Sequence, residues 1–154
     1  MKLGTFSPTD IVLAINDYVI SDFSSESFLE LTKNSPYFRQ VRGIRGKHTR
    51  VANRDKSGVL RFQLMQTSPQ NDVLSDLVTA DMESQTALLN VTLRDVGGTT
   101  GIQLINAYVD GPPNKSYQGS STTANEWVIN YDAIGRYHVG GNQKSPLDFL
   151  SNLF

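Results

Sequence analysis

Residues 60–82 read LRFQLMQTSPQNDVLSDLVTADM, and two hydrophobic periods follow one another within this stretch. At its start, Leu60, Phe62 and Leu64 alternate with polar residues. An alternation of this kind predicts a strand with one buried face. Further along, the apolar residues recur at helical spacing. The stretch therefore predicts a strand followed by a helix.

The helix has a defined start signal. Ser68 can accept hydrogen bonds from the first free backbone N–H groups, and Pro69 fits the first helical position, where no N–H is needed. Asp72 lies near the start, where a negative charge complements the helix dipole. We expect a helix over residues 69–82, with an apolar face made of Val73, Leu74, Leu77, Val78 and Met82.

Strand patterns dominate the rest of the chain. Clear alternation recurs around Val91 and around Ile129. Further strands are expected over residues 11–15, 18–23, 28–33, 37–42 and 102–109. Asn16-Asp17 suits a tight turn between the first two of these, and the glycines of residues 96–101 should supply positive φ angles for another turn. The sequence thus predicts a mainly β fold with one helix.

Composition excludes several classes of function. The chain has 154 residues, enough for one domain, and no cysteine, which excludes disulfides, thiolate metal sites and a cysteine nucleophile. No apolar run has the length of a membrane span and no signal-peptide pattern is present, so we expect synthesis in the cytoplasm and no membrane partner. His48 and His138 lie far apart in the sequence, without a partner at metal-ligand spacing. With no catalytic or phosphate-binding motif, the sequence predicts no enzyme, metal or cofactor.

Charge is divided unevenly along the chain. Residues 39–61 contain eight basic residues and one acid, a net charge of +7, while the rest has six basic residues and 14 acids, a net charge of −8. Within this basic segment, residues 43–58 predict an extended polar loop. Three interpretations stay open: a solvated loop, a contact with an identical acidic subunit, and phosphate or nucleic-acid binding. The segment lacks Phe, Tyr and Trp, which disfavours stacking on nucleic-acid bases.

Several phrases, taken in order, resemble a known family. Residues 64–71 (LMQTSPQN) resemble its strand-to-helix junction, and residues 123–129 (TANEWVI) resemble a strand near its C-terminus. The other matching phrases are Lys56-Ser57-Gly58 before a core strand, Leu93-Arg94-Asp95 before a glycine-rich turn, and Ser116-Tyr117 in a long loop. Together they cover most of residues 10–140 and resemble tail tube proteins of long-tailed bacteriophages, particularly contractile-tailed ones. Such proteins are similar to the tube subunits of type VI secretion systems.

The resemblance implies an architecture and a role. The fold would be two antiparallel sheets packed as a sandwich or partial barrel, with the helix on its flank. Residues 1–140 would form the tube domain and residues 141–154 a C-terminal tail. Six copies would form a ring, and rings would stack into the tail tube of the virion, the conduit for genome ejection. The implied partners are identical subunits, tail sheath, tape measure protein, baseplate hub and tail terminator, with genomic DNA passing through without specific binding.

Three groups of residues are candidates for the assembly contacts. The cations of the loop are candidates for the contact with an adjacent ring: Arg45, Lys47, Arg50, Arg54 and Lys56. Three acids expected on the early strands are candidates for the lumen face: Asp22, Glu26 and Glu30. Four apolar residues of the tail are candidates for docking on a neighbour: Leu147, Phe149, Leu150 and Phe154. Two other functions stay open, namely a terminator or baseplate ring of the same fold, and a small nucleic-acid-binding module that uses the basic loop.

Overall fold

The computed structural model describes residues 3–24 and 29–142. Within these ranges the chain forms ten strands, one α-helix and one short 3₁₀ turn. The strands are β1 (Ile11–Ile15), β2 (Tyr18–Ile20), β3 (Leu29–Lys33), β4 (Phe38–Arg42), β5 (His48–Ala52), β6 (Gly58–Leu64), β7 (Leu89–Asp95), β8 (Gly101–Val109), β9 (Asn125–Tyr131) and β10 (Ala133–His138). The helix α1 is Gln70–Ser84, and the 3₁₀ turn is Pro8–Asp10.

Eight of the strands form two antiparallel sheets that share β8. The first sheet has the order β2-β1-β7-β8-β10, and the second has the order β3-β6-β9-β8. Strand β8 pairs with β7 and β10 along its first part and with β9 at Tyr108 and Val109. Between these parts, Asn106 has a positive φ of 54° and the register against β7 shifts, so β8 passes from one sheet into the other. The predicted class, mainly β with two antiparallel sheets and one helix, is confirmed.

The hydrophobic core is built from the inward-facing residues of these sheets. In β6, Leu60, Phe62 and Leu64 are buried while Arg61 between them is exposed. Strands β7 and β9 repeat this pattern, and Trp127 is the largest fully buried side chain among the described residues. Each such side chain contributes about 1.5–3 kcal/mol when it leaves water. The alternation in the sequence therefore identified the buried faces correctly.

Helix α1 begins one residue later than expected and extends two residues further. The Ser68 hydroxyl accepts a hydrogen bond from the Gln70 N–H (3.1 Å), which is the capping role that the sequence indicated. The helix ends where Gln85 adopts a left-handed φ of 58°. Leu74 and Val78 are buried, but Met82 is 64% exposed, so its assignment to the core face was wrong. Periodicity identifies the apolar face of a helix, but not how far along that face the core extends.

The φ angles expected from the sequence can be compared with the structure at two turns. At the β1–β2 turn, Asn16 and Asp17 have φ angles of 48° and 71°, as a tight hairpin turn requires. The turn between β7 and β8 is present, but the expected reason for its glycines was wrong. In the described part of the chain, positive φ angles among glycines occur only at Gly46 and Gly111. At Gly97 and Gly98, a Cβ would instead collide with neighbouring atoms, so close packing explains the missing side chain there.

The expectation of a loop over residues 43–58 also needs correction, because His48–Ala52 is the strand β5. It pairs with β4 in a separate two-stranded sheet. Sequence patterns missed it because its residues are nearly all exposed and give no apolar alternation. Strand β10 was missed as well, since Gly135 and a register shift between Ile134 and Arg136 interrupt its pattern.

Candidate assembly surface

Strands β4 and β5 form a hairpin that we call the basic hairpin, residues 38–52. It contains five basic residues and no acid. Its strands pair in register from Phe38 opposite Ala52 to Arg42 opposite His48. At its tip, the Gly43 N–H donates to the Lys47 carbonyl (2.7 Å), and Gly46 has the left-handed φ of 85° that favours glycine. The basic segment of the sequence is thus an ordered hairpin rather than an irregular loop.

The basic hairpin stands away from the core. Every residue of its two strands is exposed except Val51, which is half-buried. Its strand-to-strand hydrogen bonds in the described chain stay within the hairpin. A two-stranded hairpin without a packed face is marginally stable in water. The hairpin therefore needs additional contacts, either at its base or from another molecule.

Polar contacts close the base of the hairpin. The Asn53 N–H donates to the Tyr37 carbonyl (2.7 Å), and the Asn53 side-chain amide donates to the Pro36 carbonyl (2.9 Å). Asp55 accepts from both the hydroxyl (2.6 Å) and the N–H (3.0 Å) of Ser57. These bonds lower the pKa of Asp55, with the Ser57 hydroxyl as the largest cause, followed by the Ser57 N–H.

The five predicted contact cations divide into two groups. Arg45 and Lys47 are exposed at the tip, and Arg54 is exposed beyond β5. Arg50 and Lys56 are instead occupied within the subunit: the Arg50 guanidinium lies 4.1 Å from the centre of the Phe38 ring, and the Lys56 ammonium lies 3.9 Å from the centre of the Tyr37 ring. The structure thus places two aromatic residues, Phe38 and Tyr37, in the basic site. Neither was selected from the sequence. A signal was present, since both rings directly precede the basic segment.

Tyrosine side chains lie beside the base of the hairpin. Tyr131 is 2% exposed, and its hydroxyl has no hydrogen-bond partner among the described residues. Burial raises the pKa of Tyr131 to about 12, and the neighbouring Tyr137 and Tyr37 add to the shift. A Cβ at Gly58 would collide with the Tyr131 hydroxyl and with the Thr32 carbonyl oxygen. Gly58 therefore permits the close approach of three strands here.

The predicted lumen acids have different environments. Asp22 lies between β2 and β3, not on a strand as expected, because pairing in β2 ends at Ile20. Its carboxylate accepts from the Ser68 hydroxyl (2.6 Å), which connects this segment to the start of the helix. Glu30 is exposed on β3 opposite Arg61 of β6. Glu26 lies outside the described residues, as do the tail residues Leu147, Phe149, Leu150 and Phe154.

Both sheets end in strands with one unpaired side. These are β2 and β10 in the first sheet and β3 in the second, and no further described strand adds to them. Unpaired strand edges are sites where another chain can add a strand. An acidic cleft of about 530 Å³ lies on the outer face of β9, with Asp110 and Glu126 in its wall. The body therefore offers both backbone edges and negative charge to a neighbour.

Neither a metal centre nor a membrane segment is apparent in residues 3–24 and 29–142. No three His, Asp or Glu side chains converge there as a metal would require. His48 lies 3.0 Å from the Arg42 guanidinium, and His138 ends β10 on a separate sheet. No helix in this part of the chain is long and apolar enough to cross a membrane.

Comparison with known proteins gives one relative in sequence and several in fold. No protein-family model matches the chain. A structural protein of Pseudomonas phage KPP10, ORF10, is 27% identical over 151 residues, covering 93% of this chain and 86% of that protein. The match extends over nearly the whole chain.

Several solved structures with this fold belong to contractile injection systems. A chain of the extended sheath–tube complex of an extracellular contractile injection system (PVC) superposes with a TM-score of 0.58 and 14% identity, over 84% of this chain and 89% of that one. The tube-terminating cap of the anti-feeding prophage superposes with a TM-score of 0.60 and 11% identity, over 87% and 92% of the two chains. The chain therefore has a tail tube-like fold, and its relative in sequence is a phage structural protein.

Proposed function

We propose that this chain is a tube subunit of a contractile phage tail, in which six copies form each ring and the rings stack into a hollow tube. The observation that carries the proposal is the basic hairpin. It extends from a tube-like fold, and the described part of the subunit leaves nearly all of its strand residues exposed. Charge, edges and fold each support this assembly. The role is structural, with no reaction catalysed by the subunit.

Ring closure would use the unpaired strand edges. A strand from a neighbouring copy can complete the hydrogen bonds of β2, β10 or β3. Repetition of such a contact around a closed ring would pair two of these three edges in every subunit. Glu30 on the exposed face of β3 stays a candidate for the lumen, where like charge would keep DNA from binding as it passes.

Stacking would use the basic hairpin. A surface that binds an unlike surface of the next copy produces an open stack rather than a closed pair. The exposed cations Arg45, Lys47 and Arg54 face no acid of their own subunit in the described ion pairs, and the acidic body of a neighbouring copy is the complement. Exposed ion pairs contribute about 0–1 kcal/mol each, but a ring repeats them at every subunit.

The tube would be one part of a larger tail. We propose residues 1–140 as its tube domain and residues 141–154 as a tail segment that docks on a neighbour. The proposed partners are tail sheath, tape measure protein, baseplate hub and terminator, all within the virion. Deletion of residues 145–154 should weaken assembly or sheath binding while leaving the fold intact.

A tube-terminating cap is the second candidate, favoured by the TM-score of 0.60 with the cap of the anti-feeding prophage. A cap of this fold would form one ring and stop the stack. The two candidates therefore differ in whether a ring can bind another ring.

Electron microscopy of the purified full chain across a concentration and salt series tests the proposal. Long hollow tubes would support the tube subunit, and their symmetry would test the count of six. Single rings that never stack would favour the cap. Monomers alone under every condition would contradict both.

A further inference from the structure

We propose that the basic hairpin binds a second copy of this chain through the face that carries Val41 and Val51, while cations of the subunit contact Phe38 and His48 on its opposite face. This inference rests on the proposed function and adds which face of the hairpin makes the contact. In this inference the exposed cations steer the copies toward each other, and the valine-bearing face holds them together.

The strand register defines the two faces. Residues directly opposite each other in an antiparallel pair point to the same side. Phe38 with Ala52, Gln40 with Arg50, and Arg42 with His48 therefore share one side. Arg39 with Val51 and Val41 with Thr49 share the other side. We call these sides the phenylalanine face and the valine face.

The phenylalanine face is occupied from within the subunit. The Arg50 guanidinium stacks on the Phe38 ring at 4.1 Å, and the Lys56 ammonium lies 6.0 Å from the same ring. The Arg42 guanidinium lies 3.0 Å from the imidazole of His48. Binding a neighbour through this face would require these contacts to break.

The valine face has no cation–π contact or side-chain hydrogen bond among the described residues, and its half-buried residue is Val51. Val41 is 45% exposed, and Ile44 at the tip is fully exposed. An open cleft of about 370 Å³ lies at the base of the hairpin, where Val51 and Arg39 of this face meet Pro36, Asn53 and two residues of the other face, Phe38 and Ala52. Val41, Ile44 and Val51 do not belong to the hydrophobic core, so their exposed apolar surface is available to a partner.

The uneven charge of the chain indicates that the partner of the hairpin is a second copy of this chain. The hairpin has five basic residues and no acid, whereas the chain outside residues 39–61 carries a net −8. Another copy of this chain thus supplies a partner surface of opposite sign at the same concentration as the hairpin. Charges of this kind accelerate the encounter and fix its orientation, while burial of apolar side chains slows dissociation.

Paired substitutions on the two faces test the proposal in the full chain. The double variant Val41→Thr with Val51→Thr removes methyl groups but keeps β-branched residues that favour strands. The matched control, Gln40→Thr with Ala52→Thr, changes the phenylalanine face by the same number of residues. We expect the valine-face variant to raise the critical concentration for assembly about tenfold and the control to leave it within about twofold. Sedimentation measures the critical concentration, and thermal melting of dilute protein shows that both variants fold like the parent.

High salt distinguishes charges that accelerate the encounter of two copies from contacts that hold the formed assembly together. We expect 1 M NaCl to slow assembly of the parent chain several-fold, because it screens the encounter, while tubes or rings already formed stay assembled. Preformed assemblies that dissolve at 1 M NaCl would show that ion pairs hold the contact and would overturn the inference.

The remaining outcomes are also decisive. A valine-face variant that assembles like the parent, or a control that is impaired as much, would overturn the assigned face while the proposed function stands. A parent chain that forms neither rings nor tubes would remove the proposed function itself. These results are distinguishable because the first two require assembly of the parent.

Discussion

The body of the molecule and the basic hairpin are both antiparallel β structure, yet they are stabilised differently. Strand β6 alternates buried residues with half-buried or exposed ones, and its inward Leu60, Phe62 and Leu64 belong to the core. Strands β4 and β5 have no residue in the core, and a hydrogen bond from Asn53 to the Pro36 carbonyl closes the base of their hairpin. The same backbone geometry can therefore be fixed by burial in one region and by local contacts in another. The exposed region is the one that has surface left for a partner.

Two phenylalanines give the strongest test of this difference. Phe62 is 1% exposed in the body and Phe38 is 47% exposed on the hairpin. Phe62→Ala should lower the free energy of unfolding by about 3–5 kcal/mol, because it leaves a cavity in the core. Phe38→Ala should lower it by about 1 kcal/mol or less. Urea unfolding of dilute protein measures both values, and equal losses would contradict the division into body and hairpin.

The junction between the two regions is tested at Gly58. Gly58→Ala should lower the free energy of unfolding by about 1–3 kcal/mol, because the added Cβ overlaps the Tyr131 hydroxyl and the Thr32 carbonyl. Gly119, which has open space around its Cβ position, supplies the control. Gly119→Ala should change stability by about 0.5 kcal/mol or less. A harmless Gly58→Ala would mean that the strands here have room to separate.

Alkaline pH tests the burial of Tyr131. Its pKa is about 12 in the folded chain and near 10.0 when unfolded. Stability from this group is complete below pH 10 and declines as pH rises toward 12, because the unfolded chain loses the proton first. Tyr131→Phe should reduce this alkaline decline and leave stability at pH 7 nearly unchanged, since the hydroxyl has no partner among the described residues. Denaturant unfolding at pH 7, 10 and 11.5 provides the comparison, and an undiminished decline in the variant would refute the role of Tyr131.

The smallest expected effect concerns the cation on the Phe38 ring. Arg50→Gln should increase amide hydrogen exchange in β4 and β5 about two- to fivefold, as loss of one exposed cation–π contact predicts. Exchange in β6 should stay unchanged. Arg54→Gln removes an exposed cation that has no ring contact among those described, and it serves as the control. Equal acceleration in both variants would indicate a general charge effect instead.

The sequence predicted the body better than the hairpin for a physical reason. Leu60, Phe62 and Leu64 reveal their strand because burial requires apolar residues at every second position. His48–Ala52 has no such requirement, so its strand is absent from the pattern. The five cations were found from charge alone, but charge does not reveal that Arg50 and Lys56 are held by rings. Asp22 was placed on a strand because sequence patterns do not show where pairing stops.

The sharing of β8 between both sheets has a mechanical consequence. The covalent backbone of this nine-residue strand joins the hydrogen-bonded strands that lead to the edge at β2 with those that lead to the edge at β3. A neighbour that pulls on either edge therefore loads the same strand, and tension applied to one sheet reaches the other without crossing a flexible linker. A hollow assembly of such subunits would resist stretching and bending as one stiff wall.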